Sequence, residues 1–115
     1  METATFEIIA DKAIIHLSQN IDFNNLVAVE KVFSALFEKK PALIAINCNL
    51  LRFIDSTAIA FFVNIAAKAK GLNIKLVFYN LNEELRYTFA IIKMDRIIPT
   101  VTQEEIKEEF SININ

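Results

Sequence analysis

Two periods alternate along this chain. Phe6-Glu7-Ile8-Ile9-Ala10 and Ala13-Ile14-Ile15-His16-Leu17 are short runs rich in β-branched residues on either side of Asp11-Lys12, which predicts two strands of a hairpin. From Asp22 the repeat lengthens: Phe23, Leu26, Val29 or Val27, Phe33, Leu36 and Phe37 recur at three and four, with Glu30, Lys31, Ser34 and Glu38 opposite. That spacing predicts an amphipathic helix, with Asp22 as N-cap, Lys39-Lys40 at its negative end and Pro41 as its stop.

Ala42-Leu43-Ile44-Ala45-Ile46-Asn47 is apolar almost without a break and has strand length, which predicts a central strand covered on both faces. Asp55-Ser56-Thr57 then interrupts the apolar pattern, and Ala58 to Ala69 are helix formers or bulky apolar residues nearly all round. The expectation is a second helix, the most buried of the chain, with Gly71 as a C-cap at positive φ. Ile74 to Tyr79 predicts another strand. Asn82-Glu83-Glu84 opens a helix with a Leu85, Phe89, Ile92 stripe, and its two acids suit the positive end of the helix dipole. Arg96-Ile97-Ile98 predicts a short last strand, and Thr102-Gln103-Glu104-Glu105 forms a capping box ahead of Ile106 and Phe110. The order ββαβαβα(β)α with short connections gives one α/β domain over residues 1–115. Its sheet of four to five strands is mixed but mostly parallel, apart from the opening hairpin.

Composition narrows the functional classes. The chain has 115 residues, 54% of them hydrophobic, enough for one domain with a real core. Twelve basic and fourteen acidic residues give a formal charge of -2, and without a Lys/Arg run no surface is set up to release counterions from a nucleic acid. Mean hydropathy is high at +0.37. The most apolar run, AIAFFVNIAA, is nevertheless interrupted by Asn64 and closed by Lys68 and Lys70, short of the roughly 20 apolar residues that span a bilayer. No direct membrane insertion is expected. METATFEIIADK lacks the regions of a secretory signal, and the lone Cys48 has no disulfide partner, so a reducing cytoplasm is the expected compartment.

Candidate chemistry converges on Asp55-Ser56-Thr57, which follows a central strand and opens a helix, where open α/β sheets commonly bind or react. Two readings stand there. All three residue types are good N-caps that satisfy orphan backbone N–H groups. Alternatively, a hydroxyl at a positive helix end is presented for phosphorylation. A phosphate there adds about -1.5 to -2 charge that the dipole tolerates, while it repels an acidic partner and penalises any interface formed over it. Apolar neighbours among Ile54, Ile59 and Phe62 are candidates for a docking patch.

Enzymatic readings fare poorly. Asp55 at a strand end has the position of a receiver phosphoacceptor, but the further carboxylates of a Mg²⁺ site are missing near the first strand end, where the chain turns through Asp11-Lys12. A hydrolase reading lacks a Gly-flanked nucleophile elbow at Ser56, and the only histidine, His16, reads as a packed or half-exposed strand residue. Cys48 reads as buried and inert, no metal cluster appears in the spacing, and a chain with one Gly has no glycine-rich phosphate loop. No cofactor is expected.

Phe53-Ile54-Asp55-Ser56-Thr57-Ala58-Ile59-Ala60, preceded by LIAINCNLL, resembles the Asp-Ser-Ser/Thr-Gly-Leu-Gly signature of the STAS family, which includes the anti-sigma factor antagonists. The resemblance extends over most of the chain, through Asn20-Ile21-Asp22, Gly71 to Val77 and the Leu85 to Met94 helix. It implies that Ser56, with Thr57 as the neighbouring hydroxyl, is phosphorylated by a serine kinase that doubles as an anti-sigma factor. The unphosphorylated form would bind that kinase, and a PP2C-type phosphatase would restore it. It further implies a partner-binding face of Asp22, Asp55, Ser56, Thr57, Ala58 and Ile59. Ala58 and Ala60 replace the usual glycines, and Ser18-Gln19 occupies a strand end where Gly is common. The same family supplies an alternative without phosphorylation, as a subunit of a lipid-transport ABC system or a stressosome-like scaffold.

Overall fold

The structure, a computed structural model, describes residues 3–110. The expected domain bounds at 1 and 115 therefore lie outside the described residues. Strands β1 (Ala4–Ile9) and β2 (Lys12–Leu17) form the antiparallel hairpin, and Ala10 takes the left-handed conformation its tight turn requires. Next come β3 (Asn20–Ile21), α1 (Leu26–Glu38), β4 (Leu43–Asn47), β5 (Phe53–Ile54) and α2 (Ser56–Gly71). The chain continues through β6 (Lys75–Tyr79), α3 (Glu83–Ile91), a 3-10 turn at Met94–Arg96, β7 (Thr100–Val101) and α4 (Gln103–Glu109).

The main sheet has the order β1-β2-β4-β6-β7 and is parallel from β2 onward, so the expected mixed, mostly parallel α/β sheet is what forms. Strand alternation divides its burial between two faces. Ile44, Ile46, Leu76 and Phe78 pack against α1, α2 and α3, whereas Leu43, Ala45, Val77 and Tyr79 pack against Ile106 of α4 and Phe110, its C-cap. The run at 43–47 is continuous in sequence because β4 is central and covered on both sides.

The helix-side core is organised by a run of edge-on and tilted aromatic contacts. Phe33 meets Phe61 edge-on at 5.6 Å, Phe61 meets Phe62 at 5.5 Å, Phe62 meets Phe78 at 5.3 Å and Phe78 meets Phe89 at 5.1 Å. This chain of aromatic contacts ties α1, α2, β6 and α3 into one unit, in the offset and edge geometries that ring quadrupoles favour.

Several local expectations are corrected. Asp22 is not the N-cap of α1, which begins at Leu26 behind Asn25. Asn20-Ile21 instead pairs in parallel with Phe53-Ile54, and this non-local ladder holds the chain extended up to Asp22. The turn that follows is closed by Asp22 Oδ1 accepting from the Asn24 N–H and by Asn25 Oδ1 accepting from the Asp22 N–H. Gly71 has ordinary φ, and a Cβ there would meet open space. Asn73, with φ of 60°, supplies the left-handed residue after α2, which Asn tolerates through its short polar side chain.

Helix α2 buries one stripe, Ala58, Phe61, Phe62, Ile65 and Ala69, rather than its whole circumference, because Ser56, Ala60, Val63, Asn64 and Ala67 face solvent. Ile92 falls beyond the end of α3 and is exposed. The segment 96–98 is the close of a turn, with Ile98 fully buried, and the last strand forms at Thr100–Val101. The Thr102–Glu105 capping box forms as expected, with both reciprocal bonds present.

Candidate functional site

The parallel β3–β5 pair sets the geometry of the Asp55-Ser56-Thr57 segment. Asn20 pairs with Phe53 and Ile21 with Ile54, so the next residues in register are Asp22 and Asp55, each leaving its strand at the same end. Asp55 keeps an extended backbone and caps α2. Its Oδ1 accepts from the Ala58 N–H at 3.0 Å and from the Thr57 hydroxyl at 2.6 Å, and its Oδ2 accepts from the Phe23 N–H at 2.9 Å. One carboxylate thus ties the helix start to the turn ahead of α1.

Those bonds also divide the labour among the three polar residues. Thr57 is half-buried and its hydroxyl is donated to Asp55, whereas Ser56 is exposed at the first helical position, and both oxygens of the cap are engaged by other donors. Asp55 and Thr57 therefore build the cap, and Ser56 stands clear of it at the positive pole of a 16-residue helix. Of the expected partner-binding residues, Ala58 is sealed in the core, while Ile59 is half-buried, as are Asp22, Asp55 and Thr57.

The Asp55 carboxyl is held below the usual carboxylate range, first by the Thr57 hydroxyl and then by the Ala58 N–H. The sign of its effect on stability follows. A group with a folded pKa below its unfolded one stabilises the fold fully above the ordinary carboxylate range near 4, and that contribution disappears as pH falls through the folded value. Thermal melts between pH 7 and pH 3 should show Asp55→Asn less stable at pH 7, with the difference from the parent chain narrowing below about pH 4. A gap unchanged at pH 3 would remove the ionised cap from the account.

The apolar residues beside this segment differ from those expected. Phe62 is fully buried, and Ile54 and Ile59 are half-buried against the core. Phe23, whose N–H is held by Asp55, is 75% exposed, and Phe53, two residues before Asp55, is 55% exposed. Periodicity assigned Phe23 to the helix stripe. Nothing in the local sequence separates a surface phenylalanine from the core ones. A groove of about 430 Å³ runs between α1 and α2 along most of α2, from Thr57 to Lys68, floored by Phe33, Phe37, Phe61 and Ile65. A larger cavity of about 820 Å³ lies elsewhere, between α3 and the start of α4, and includes none of Asp55, Ser56 and Thr57.

The other singletons fall away from this segment. Cys48 is fully buried, its thiol pushed far up by desolvation, which suppresses the reactive thiolate. His16 bonds Glu7 and Asn47. Among the described residues no group of three His, Cys, Asp or Glu could hold a metal ion, and no helix is long and apolar enough to cross a membrane.

Solved structures share this arrangement of elements. An anti-sigma factor antagonist from Mycobacterium paratuberculosis superposes with a TM-score of 0.77 at 17% identity, over 95% of this chain and 93% of that one. A Thermotoga maritima protein reaches 0.81 at 22% identity, over 94% of each chain. SpoIIAA of Bacillus, in its phosphorylated form, gives 0.70 at 16% identity, over 92% of this chain and 97% of that one. At these identities the likeness is one of fold. No curated protein sequence matches the chain. The family model does: with its match running from residue 3 to residue 108, over the hairpin, the Asp55-Ser56-Thr57 turn and the helices behind it, this chain belongs to the STAS domain family.

Proposed function

We propose that this protein is an anti-sigma factor antagonist. It is a noncatalytic binding module that sequesters an anti-sigma factor serine kinase while Ser56 carries a free hydroxyl, and lets it go once Ser56 is phosphorylated. A PP2C-type phosphatase resets it. The observation that carries this reading is the exposed Ser56 side chain at the first position of α2, beside a cap that does not use it and next to Phe23 and Phe53. Apolar surface of that kind, rimmed by Asp22 and Asp55, suits an interface whose core is aromatic and whose edge is polar.

In this mechanism the fold does not change on modification. The positive helix end accepts the phosphate locally, and the aromatic contacts behind α2 hold the helix in place. What changes is complementarity: about two negative charges beside Asp55 and Asp22 must be desolvated or repelled when the kinase docks. Incubation with the cognate kinase and ATP, followed by site-mapping mass spectrometry, should place phosphate on Ser56 and leave Thr57 unmodified. An unmodified Asp55–Thr57 peptide would defeat the switch. An affinity purification that returned an ABC ATPase and permease would assign the chain to the transport-subunit role.

The docking face has its own test. Phe23→Ser should weaken kinase binding by about tenfold or more, as expected for an aromatic anchor at an interface centre. Because the ring is 75% exposed, the thermal midpoint should stay within about 2 °C of the parent value. Equal affinity by calorimetry would move the interface off this side of the molecule.

A further inference from the structure

On the sheet face opposite α1 to α3, a row of polar side chains crosses the C-terminal ends of the strands. His16 pairs in register with Asn47, and Asn47 with Tyr79. The hydrogen bonds along this row determine the histidine tautomer. The Asn49 backbone N–H, which can only donate, points at Asn47 Oδ1 at 3.0 Å, and the same oxygen accepts from Asn80 Nδ2 at 3.0 Å. Asn47 Nδ2 therefore faces His16 and donates to Nδ1 at 2.9 Å. Since Nδ1 accepts, the ring proton sits on Nε2 and is donated to the Glu7 carboxylate at 2.7 Å.

A second proton on the imidazole conflicts with this chain. It would put an N–H on Nδ1 against the N–H of Asn47, donor against donor. Turning the Asn47 amide over mends that contact only by aiming its NH₂ at the Asn49 N–H and Asn80 Nδ2. The turned amide relieves the clash, and in turning it loses the bond that anchors Asn49 to the end of β4. The segment at stake is Cys48–Arg52, which carries the chain from β4 to Phe53 and on to Asp55. Its far end is held by the Arg52 N–H on the Gln19 carbonyl and by Asn82 Nδ2 on the Leu51 carbonyl.

The geometry points to a proton-sensitive latch, in which neutral His16 locks Asn47 onto the Cys48–Arg52 loop and doubly protonated His16 releases it. The groups facing His16 set the balance. From β1, the Glu7 carboxylate accepts from Nε2, and from β4, the Asn47 amide donates to Nδ1. From β6, the Tyr79 hydroxyl is pushed up to about 12 by burial first and by Glu7 next, so it stays neutral and adds no charge to the row. On α4, which covers Leu43, Ala45 and Val77, Glu105 is engaged by the Thr102 N–H, and Glu109 lines a small cavity with Lys75. The latch acts on the loop whether or not Ser56 is modified.

Nitrogen-detected NMR of the full chain from pH 8 to pH 5 tests it. The Nε2–H tautomer is expected at pH 8. The Asn49 amide signal should move with the same midpoint as His16, and its exchange should become about tenfold more open than the pH trend of its neighbours. Asn47→Asp puts a second oxygen where Nδ2 stood, so that one carboxylate oxygen accepts from a protonated Nδ1 and the other still accepts from the Asn49 N–H. It should abolish the Asn49 response. His16→Gln, which accepts from Asn47 but cannot take a proton, should also abolish that response and serves if Asn47→Asp fails to fold. An Nδ1–H tautomer at pH 8, an Asn49 signal indifferent to His16, or a response surviving in His16→Gln would overturn the latch.

Discussion

Ser56→Asp should lower affinity for the partner kinase by about a hundredfold, about 2.7 kcal/mol, and leave the thermal midpoint within about 2 °C of the parent chain. The two halves of this expectation have separate physical sources. Stability is spared because the substituted side chain is exposed at the first position of α2 and displaces none of the three bonds to the Asp55 carboxylate. A negative charge on the first turn is favoured by the helix dipole. Binding suffers because the same carboxylate, brought into an interface beside Phe23 and Phe53, must shed its water close to a second carboxylate held ionised at Asp55. Ser56→Ala separates charge from the loss of the hydroxyl: it should bind like the parent and resist phosphorylation. Calorimetric titration of the three proteins decides the matter, and an Asp variant that binds as tightly as the parent would leave Ser56 outside the interface.

What could be read from the sequence divides along the line between local and non-local causes. The apolar run at 43–47 announced a doubly covered central strand because strand burial writes itself directly into residue type. The α2 start and the Thr102–Glu105 box were legible because cap chemistry acts within three residues. Asp22 was misassigned as a cap because its role depends on β3 pairing with β5, thirty-three residues away in the Asn20–Phe53 register. Ile97-Ile98 looked like a strand since two adjacent isoleucines read alike whether both are buried in a strand or, as here, one is buried and the other exposed at a turn. The candidate site followed the same rule. The Asp55 cap was legible within three residues, but the exposure of Phe23 and Phe53 is a property of the assembled surface.

Phe78→Ala should show what keeps that surface rigid. Phe78 is fully buried at the centre of the sheet's helix side, touching Phe62 of α2 at 5.3 Å and Phe89 of α3 at 5.1 Å. Truncating a buried phenylalanine costs about 3–5 kcal/mol through lost transfer energy and the cavity left behind. For a domain of this size that lowers the midpoint by about 12–20 °C. The substituted ring has no exposed surface, yet its loss removes a contact that presses α2 onto the sheet, so it should also loosen the helix whose first residue is Ser56. Amide exchange distinguishes this from uniform destabilisation. Protection at Ala58, Phe61 and Phe62 should fall more steeply than at Ile15 and Leu17 in the hairpin strand, which the aromatic contacts do not include. Equal losses at both places would mean that the core acts as one cooperative block, and that α2 owes its position to the sheet as a whole rather than to the ring beneath it.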